Sequence, residues 1–206
     1  MLNNVIDISH HNTVSSFQDV VNNGIVGVIH KATQGVSLVD AKYHARRQRA
    51  LAAGLLWGAY HFATKANVEQ QVDHFLDTVN PTASDLLVLD FEPNGESGTM
   101  TLSQAEQFVT LVNQKTGRFP GLYSGQAFIR EKVGNNTTTV LRNCFLWIAR
   151  YSSQTPVVPP AWQTWTFWQY TDGNAGDQPH QAPGIGRCDR DKFNGSLDGL
   201  KRLWGS

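Results

Sequence analysis

The chain has 206 residues, of which 40% are hydrophobic and 17% carry a charged side chain. This length and composition fit one globular domain with a sizeable core. Its 17 basic residues balance its 17 acidic residues, so no net field draws the protein to nucleic acid or to an anionic membrane, and we expect neither partner.

The first half of the chain alternates apolar strands with amphipathic helices. Glycines end most of the helices, and serine, threonine or asparagine stands near the start of several of them, as helix caps require. The predicted strands cover residues 4–9, 26–33, 55–63, 86–92 and 121–124. The predicted helices cover residues 16–23, 40–53, 68–79 and 101–116.

The second half has fewer helices. Short helices are predicted near 128–132 and 138–141, strands at 145–151, 166–170 and 184–189, and a closing helix at 196–204. Eight strands separated first by helices and later by loops predict a parallel sheet closed as a (β/α)-type barrel that lacks some helices, in a single domain over 1–206. An open doubly wound sheet is the alternative, but no glycine-rich turn follows the first strand.

The fourth strand ends in two carboxylates. Leu86–Leu89 is an apolar run that predicts burial on both faces, and Asp90 and Glu92 follow it. Side chains alternate along a strand, so these two carboxylates share a face with Cα atoms about 6.6 Å apart. Their proximity and burial predict a raised pKa for one of them, which pairs an acid with a carboxylate. A strand that frays into a solvated acidic loop is the alternative, and the apolar run argues against it.

Other strand ends carry further carboxylates and aromatic residues, which a barrel brings to one face. Asp7 and Asp189 are the carboxylates, although Asp7 has an alternative as a partner of the loop that follows it, and Asp191 fits an Asx turn equally well. Sugar rings stack on aromatic faces while their hydroxyls need polar partners, so the pattern predicts a saccharide site. The predicted substrate-binding residues are Tyr60, His61, Tyr123, Trp147, Trp168 and Tyr170.

Rival chemistries have less support. His10, His11, His30 and His61 match no H-E-x-x-H spacing, and no G-x-S-x-G elbow is present, so we expect neither a metal, a cofactor nor a serine nucleophile. Two cysteines, Cys144 and Cys188, are too few for a disulfide framework. Free buried thiols are predicted, with a single disulfide as the alternative.

Eight segments of this chain resemble, in the same order, the glycoside hydrolase family 25 lysozymes, the Chalaropsis-type N-acetylmuramidases. The segments are VIDISHHN (5–12), GVIHKATQG (27–35), GAYHF (58–62), LDFE (89–92), GLYS (121–124), LWIA (146–149), WQY (168–170) and DRDKFNG (189–195). The resemblance covers nearly the whole chain. It implies a modified TIM-like barrel with eight strands and about five helices.

The resemblance also implies a reaction and its residues. The reaction is cleavage of the β-1,4 bond between N-acetylmuramic acid and N-acetylglucosamine in peptidoglycan, with Glu92 as general acid and Asp7, Asp90 and Asp189 as supporting carboxylates. It implies retention through the substrate's own 2-acetamido group, although the strand spacing alone leaves inversion open. Asp191 and Arg190 depart from the family's usual asparagine and apolar residue, which predicts an extra charge pair near the rim.

Two other functions fit parts of the pattern: a non-catalytic saccharide-binding barrel and a chitinase-like glycosidase. The N-terminus lacks a signal-peptide pattern, and no run of 18 apolar residues occurs. We therefore expect a monomer that acts on the bacterial cell wall as a phage endolysin, an injected effector or a trimmed secreted domain.

Overall fold

The computed structural model describes residues 1–205. The strands are β1 (Leu2–Ile8), β2 (Gly27–Gln34), β3 (Leu38–Val39), β4 (Leu56–Phe62), β5 (Leu86–Asp90), β6 (Gly121–Gly125), β7 (Leu146–Ala149), β8 (Phe167–Thr171), β9 (Gln181–Ala182), β10 (Gly186–Arg187) and β11 (Asp189–Phe193). The helices are α1 (Phe17–Asn22), α2 (Tyr43–Ala52), α3 (Val68–Val79), α4 (Leu102–Thr116), α5 (Gln126–Val133) and α6 (Leu197–Leu203), with a 3-10 helix at Val140–Asn143.

Eight of these strands form a closed barrel, as predicted. Their order is β1, β11, β8, β7, β6, β5, β4 and β2, and the parallel pairing of β1 with β2 closes the ring. Six α-helices stand where the resemblance implied about five. The short strands β3, β9 and β10 lie outside the ring.

The prediction of an entirely parallel barrel is wrong for the last strand, because β11 pairs antiparallel with both β1 and β8. The sequence predicts residues 184–189 as an eighth strand that runs parallel to the other seven. Instead β9 and β10 form a small hairpin, in which Gly184 and Gly186 adopt φ of +83° and +84°. The chain then re-enters the barrel as β11, antiparallel to its two neighbours. Asp189 consequently begins its strand at the rim where the parallel strands end.

Alternation along the strands separates two apolar layers. One face of each strand points into the barrel, where Val5, Val88 and Phe167 pack together. The other face packs against the helices, as Leu87 and Leu89 do in β5. All five residues of β5 are buried, which agrees with the predicted strand buried on both faces.

Helices α3 and α4 cover this outer layer beside β2 and β5. Asn67 caps α3 by accepting a hydrogen bond from the Gln70 amide, and Thr101 and Gln104 form a reciprocal capping box at the start of α4. At 15 residues, α4 is longer than α3, which has 12. Within residues 1–205, no helix combines the length and apolarity that a membrane crossing requires.

Helix α6 closes the bottom of the barrel. Leu200 and Trp204 pack into the interior layer, and the Trp204 indole Nε1 donates a hydrogen bond of 2.9 Å to the carbonyl oxygen of Trp57. Gly27 permits this close approach, since a Cβ there would lie 3.3 Å from the Trp204 ring. With its floor filled by this helix, the barrel interior opens at the rim where the parallel strands end.

The two cysteines are separate, buried thiols, as predicted, and the alternative of a disulfide between them is not realised. Burial raises the pKa of both thiols, Cys144 and Cys188, to about 12. Neither thiol is therefore activated as a nucleophile.

Candidate active site

A cavity of about 170 Å³ opens at the upper rim of the barrel. Seven of the eight barrel strands contribute to it, and four of its nine lining residues are carboxylates. The lining residues are Asp7, Tyr60, Asp90, Glu92, Tyr123, Trp147, Tyr151, Gln169 and Asp189. We call this cavity the acidic pocket.

One wall of the acidic pocket is the end of β5. Asp90 is its last residue and is 6% exposed, whereas Glu92, two residues on, is half-buried. Phe91 points the other way into the outer layer, its ring 5.0 Å from the Phe128 ring, and its carbonyl oxygen accepts a hydrogen bond from Ser124. These contacts anchor the residue between the two carboxylates, so both side chains face the pocket.

Burial raises the pKa of both Asp90 and Glu92. The neighbouring Glu92 charge raises the pKa of Asp90 further, while the Lys31 ammonium lowers both values. Lys31 lies on β2, donates a hydrogen bond of 2.7 Å to Gln34, and sits over the Phe62 ring. Burial outweighs Lys31, so this pair of carboxyls holds a proton at a higher pH than surface carboxylates do.

The opposite wall joins Asp7 of β1 to Asp189 of β11, which are paired in register. Gln169 of β8 connects them, because its Nε2 donates to Asp7 Oδ2 at 2.8 Å and to Asp189 Oδ2 at 3.3 Å. Its Oε1 accepts from the hydroxyls of Tyr123 at 2.8 Å and Tyr151 at 3.1 Å. Four partners fix the orientation of this amide, and it holds two carboxylates and two tyrosines in one network.

The tyrosine hydroxyls of the pocket remain protonated. Burial raises the pKa of Tyr60 and Tyr123, and nearby carboxylates raise both further. Burial also raises the pKa of Tyr151, which lies at the mouth of the pocket with 42% of its surface exposed. The pocket therefore holds neutral hydroxyl groups between its two acidic walls.

Asp191 lies below the pocket inside the barrel, fully buried. The Trp147 indole Nε1 donates a hydrogen bond of 2.7 Å to its Oδ1. The expected charge pair with Arg190 at the rim is wrong, because adjacent strand residues point to opposite faces. Arg190 points outward and donates instead to the carbonyl oxygens of Gln181 and Asn3.

The carboxyls of this second wall also have raised pKa values. Burial raises the pKa of Asp7, and the charges of Asp189 and Asp191 raise it further. Burial raises the pKa of Asp189 to about 6, a hydrogen bond with Asp7 opposes this rise, and the charges of Asp172 and Glu92 add to it. Ionising these groups in the folded protein therefore costs free energy that ionising them in the unfolded chain does not.

We expect Asp189→Asn to be more stable than the wild type above about pH 7. The folded pKa of Asp189, about 6, exceeds its ordinary value of 3.8. The contribution of Asp189 to the free energy of unfolding is therefore complete below pH 3.8 and is lost as the pH rises through about 6. The gain should be about 1–3 kcal/mol at neutral pH and should disappear near pH 4.

The measurement is the free energy of unfolding in urea, taken at several pH values between those limits. Asp77→Asn is the matched control, since Asp77 is exposed on α3. A gain for Asp189→Asn that is the same at every pH would contradict the proposed linkage.

Three predicted substrate-binding residues do not line the pocket. Trp168 and Tyr170 flank Gln169 on β8 and point to the outer face, where the Lys192 ammonium lies 4.5 Å from each ring. His61 follows Tyr60 and also points outward. It accepts or donates hydrogen bonds with Thr33 and Gln71, and its ring stacks on Phe108. Adjacent residues of a strand cannot both face one pocket, and the sequence prediction selected members of both faces.

The structure adds Gln169, Tyr151 and Lys31 to the residues of the site. Gln169 had a signal in the sequence, because a polar residue with the parity of the inward-facing Phe167 predicts an inward side chain. Lys31 had the same signal relative to Ile29. Tyr151 ends the predicted strand 145–151 with the parity of Trp147, although in the structure it follows β7 in a loop.

Comparisons with known proteins identify a matching family and several similar proteins. The family model described as Glycosyl hydrolases family 25 matches residues 6–177. Lysozyme M1 of Streptomyces globisporus is 29% identical over 96% of this chain and 70% of that protein. The N,O-diacetylmuramidase of Chalaropsis sp is 26% identical over 96% of both chains. The structure of a muramidase from Acremonium alcalophilum is 29% identical, with a TM-score of 0.84 over 98% of both chains.

Proposed function

This chain belongs to glycosyl hydrolases family 25 and is a peptidoglycan hydrolase, and we propose that it is a muramidase in which Glu92 is the general acid. The bond cleaved is the β-1,4 linkage between N-acetylmuramic acid and N-acetylglucosamine. Asp90, Asp7 and Asp189 are the supporting carboxylates, and the 1–206 segment acts as one catalytic domain.

The observation that supports Glu92 most directly is the unequal burial of the β5 pair. Asp90 is 6% exposed at the bottom of the wall, whereas Glu92 is half-buried at the level where a glycosidic oxygen can reach it. A raised pKa keeps a proton on the pair to a higher pH than on a surface carboxylate. A general acid needs both properties, a proton and access to the leaving oxygen.

In the first step, Glu92 gives its proton to the glycosidic oxygen as the bond from that oxygen to C1 breaks. The carbonyl oxygen of the substrate's 2-acetamido group forms a bond to C1, and Asp90 orients this group and stabilises the positive charge that develops on it. The resulting ring is an oxazolinium ion. The acetamido oxygen attacks C1 from the face opposite to the departing sugar, which leaves the β face of C1 open to water.

In the second step, a water molecule attacks C1 and gives one proton to the Glu92 carboxylate, which returns to its starting state. The bond between C1 and the acetamido oxygen breaks, and the β configuration is retained. Product analysis by NMR during early turnover tests this step: the β anomer should appear first. The α anomer appearing first would establish inversion and remove the acetamido mechanism.

The remaining residues of the acidic pocket bind and orient the sugar. Tyr60 supplies a hydroxyl donor, while the carboxylates of Asp7 and Asp189 accept from sugar hydroxyls. The hydroxyl oxygens of Tyr123 and Tyr151, whose protons go to Gln169, also act as acceptors. No cofactor enters this mechanism. We propose that the enzyme acts as a monomer on the bacterial cell wall, and since its net charge is zero, affinity comes from the pocket and its rim.

The function is tested by digesting purified peptidoglycan with the wild type and with Glu92→Gln, reducing the products with borohydride and identifying the new ends by mass spectrometry. Reduced muramic acid ends, absent with the variant, are expected. Reduced glucosamine ends would show that the opposite bond is cut. No cleavage by the wild type would favour a saccharide-binding barrel, the second candidate.

A further inference from the structure

Asp191 is a buried carboxyl that the proposed mechanism does not use. It lies two residues after Asp189 on β11, opposite Val5 of β1 in register, and has no solvent contact. A carboxylate in such a place needs either matching positive charge or a proton.

One carboxyl oxygen of Asp191 has no hydrogen-bond donor. Trp147 donates to its Oδ1, but Oδ2 receives no hydrogen bond from any donor in residues 1–205. Asp7 lies two residues after Val5 on the same inward face of β1, diagonally across from Asp191, and its carboxyl accepts from Gln169 on its other side. One proton placed between Asp7 and Asp191 would complete the set, because a protonated carboxyl donates and a carboxylate accepts.

The neighbouring cationic side chains do not balance the charge that an ionised Asp191 would carry. Arg190, the neighbour in sequence, points outward and donates to backbone carbonyl oxygens, although its charge still acts on Asp191 through the strand. Lys192 also points outward, over aromatic rings, and Lys31 acts on the other wall of the pocket. The groups that face Asp191 from β1, β7 and β11 are Asp7, Trp147 and Asp189, of which two are acids.

We propose that Asp7 and Asp191 share one proton across the working pH range of the enzyme. The pair then carries a single negative charge, and Asp191 is a positioning residue that fixes the Asp7 carboxyl in the pocket wall. Burial raises the pKa of both groups, in agreement with a retained proton. The proposal rests on the proposed function only in that Asp7 belongs to the working pocket.

Two variants at this position separate the proton from the volume of the side chain. Asp191→Asn keeps the shape, accepts from Trp147 and donates to Asp7, so the pair keeps its single negative charge. Asp191→Leu keeps the branched skeleton of the side chain, in a somewhat larger volume, but makes neither bond. We expect Asp191→Leu to lower kcat/KM by about tenfold to a hundredfold and Asp191→Asn to restore most of it.

The pH profile of kcat/KM gives the readout that a purely structural role would not change. In Asp191→Leu, the acidic limb should move to higher pH, because Asp7 loses a donor that stabilises its ionised form. In Asp191→Asn, both limbs should stay in place. If both carboxyls are ionised in the wild type, Asp191→Asn removes a negative charge and its limbs move to lower pH, which overturns the proposal.

A direct test uses the wild type with ¹³C-labelled aspartate carboxyls, assigned by triple-resonance NMR, and needs no variant to fold. Between about pH 5 and pH 8, the two resonances together should retain one proton. Both resonances at their fully ionised shifts at pH 5 would overturn the shared proton even in an active enzyme. A retained proton in a protein that does not cleave peptidoglycan would instead refute the proposed function alone.

Discussion

Glu92→Gln should lower kcat on peptidoglycan by about 10²–10⁴-fold while the protein stays folded. The amide keeps the shape of the carboxyl but has no proton of suitable acidity for the leaving oxygen. Because Glu92 is half-buried at the pocket wall and forms no salt bridge within residues 1–205, and because burial raises its pKa, its replacement by a neutral amide should not lower the free energy of unfolding. The measurement is the initial rate of release of reducing ends at saturating substrate.

Glu96→Gln is the matched control for this experiment. Glu96 lies in the same loop after β5 but is exposed, so the same chemical change there should leave the rate within about twofold. A Glu92→Gln enzyme with near-normal kcat would refute the assignment of the acid. A loss of kcat accompanied by unfolding, read by circular dichroism, would instead assign Glu92 a structural role.

Asp90→Asn should lower kcat by about 10²–10³-fold, because it removes the carboxylate that stabilises positive charge at the acetamido group. The interaction between Asp90 and Glu92 is mutual, so removing one negative charge should also lower the pKa of Glu92. Glu92 must be protonated to act. The alkaline limb of the pH profile should therefore move to lower pH.

The pH dependence of kcat/KM for Asp90→Asn, measured against the wild type, tests both statements. Asp85→Asn is unsuitable as a control, because Asp85 accepts a hydrogen bond of 2.6 Å from Arg47 in a buried contact. Asp77→Asn, on the exposed face of α3, is suitable. A reduced rate with an unmoved alkaline limb would show that Asp90 and Glu92 titrate independently.

The parts of the fold that depend on local patterns were predictable from the sequence. The apolar run of β5 predicts a buried strand, and the i, i+3, i+4 and i+7 spacing of α3 predicts a helix with one apolar face, both of which the structure has. The direction of β11 was not predictable, since it depends on a long-range choice of partner. A hairpin of two two-residue strands decides that choice, and such strands leave no periodic signal.

Some residues of the candidate site were likewise predictable from the sequence, and others were not. Asp90 and Glu92 could be assigned to one face from parity within their own strand. Trp168 and Tyr170 were selected by residue type, although parity with Phe167 assigns the pocket to Gln169 instead. Tyr151 joins the pocket through a loop, and only the folded structure places its hydroxyl beside Gln169.

The seam between β1 and β11 has a kinetic consequence. It joins the first strand of the barrel to the last, and the hydrogen bond from Gln169 to Asp7 spans 162 residues of sequence. Contacts between such distant residues form late and slowly, because closing a long loop costs chain entropy before the contact forms. Half of the acidic pocket therefore does not exist until the ring closes. We therefore expect a chain that ends before β11 to lack the Asp189 side of the pocket and to be inactive.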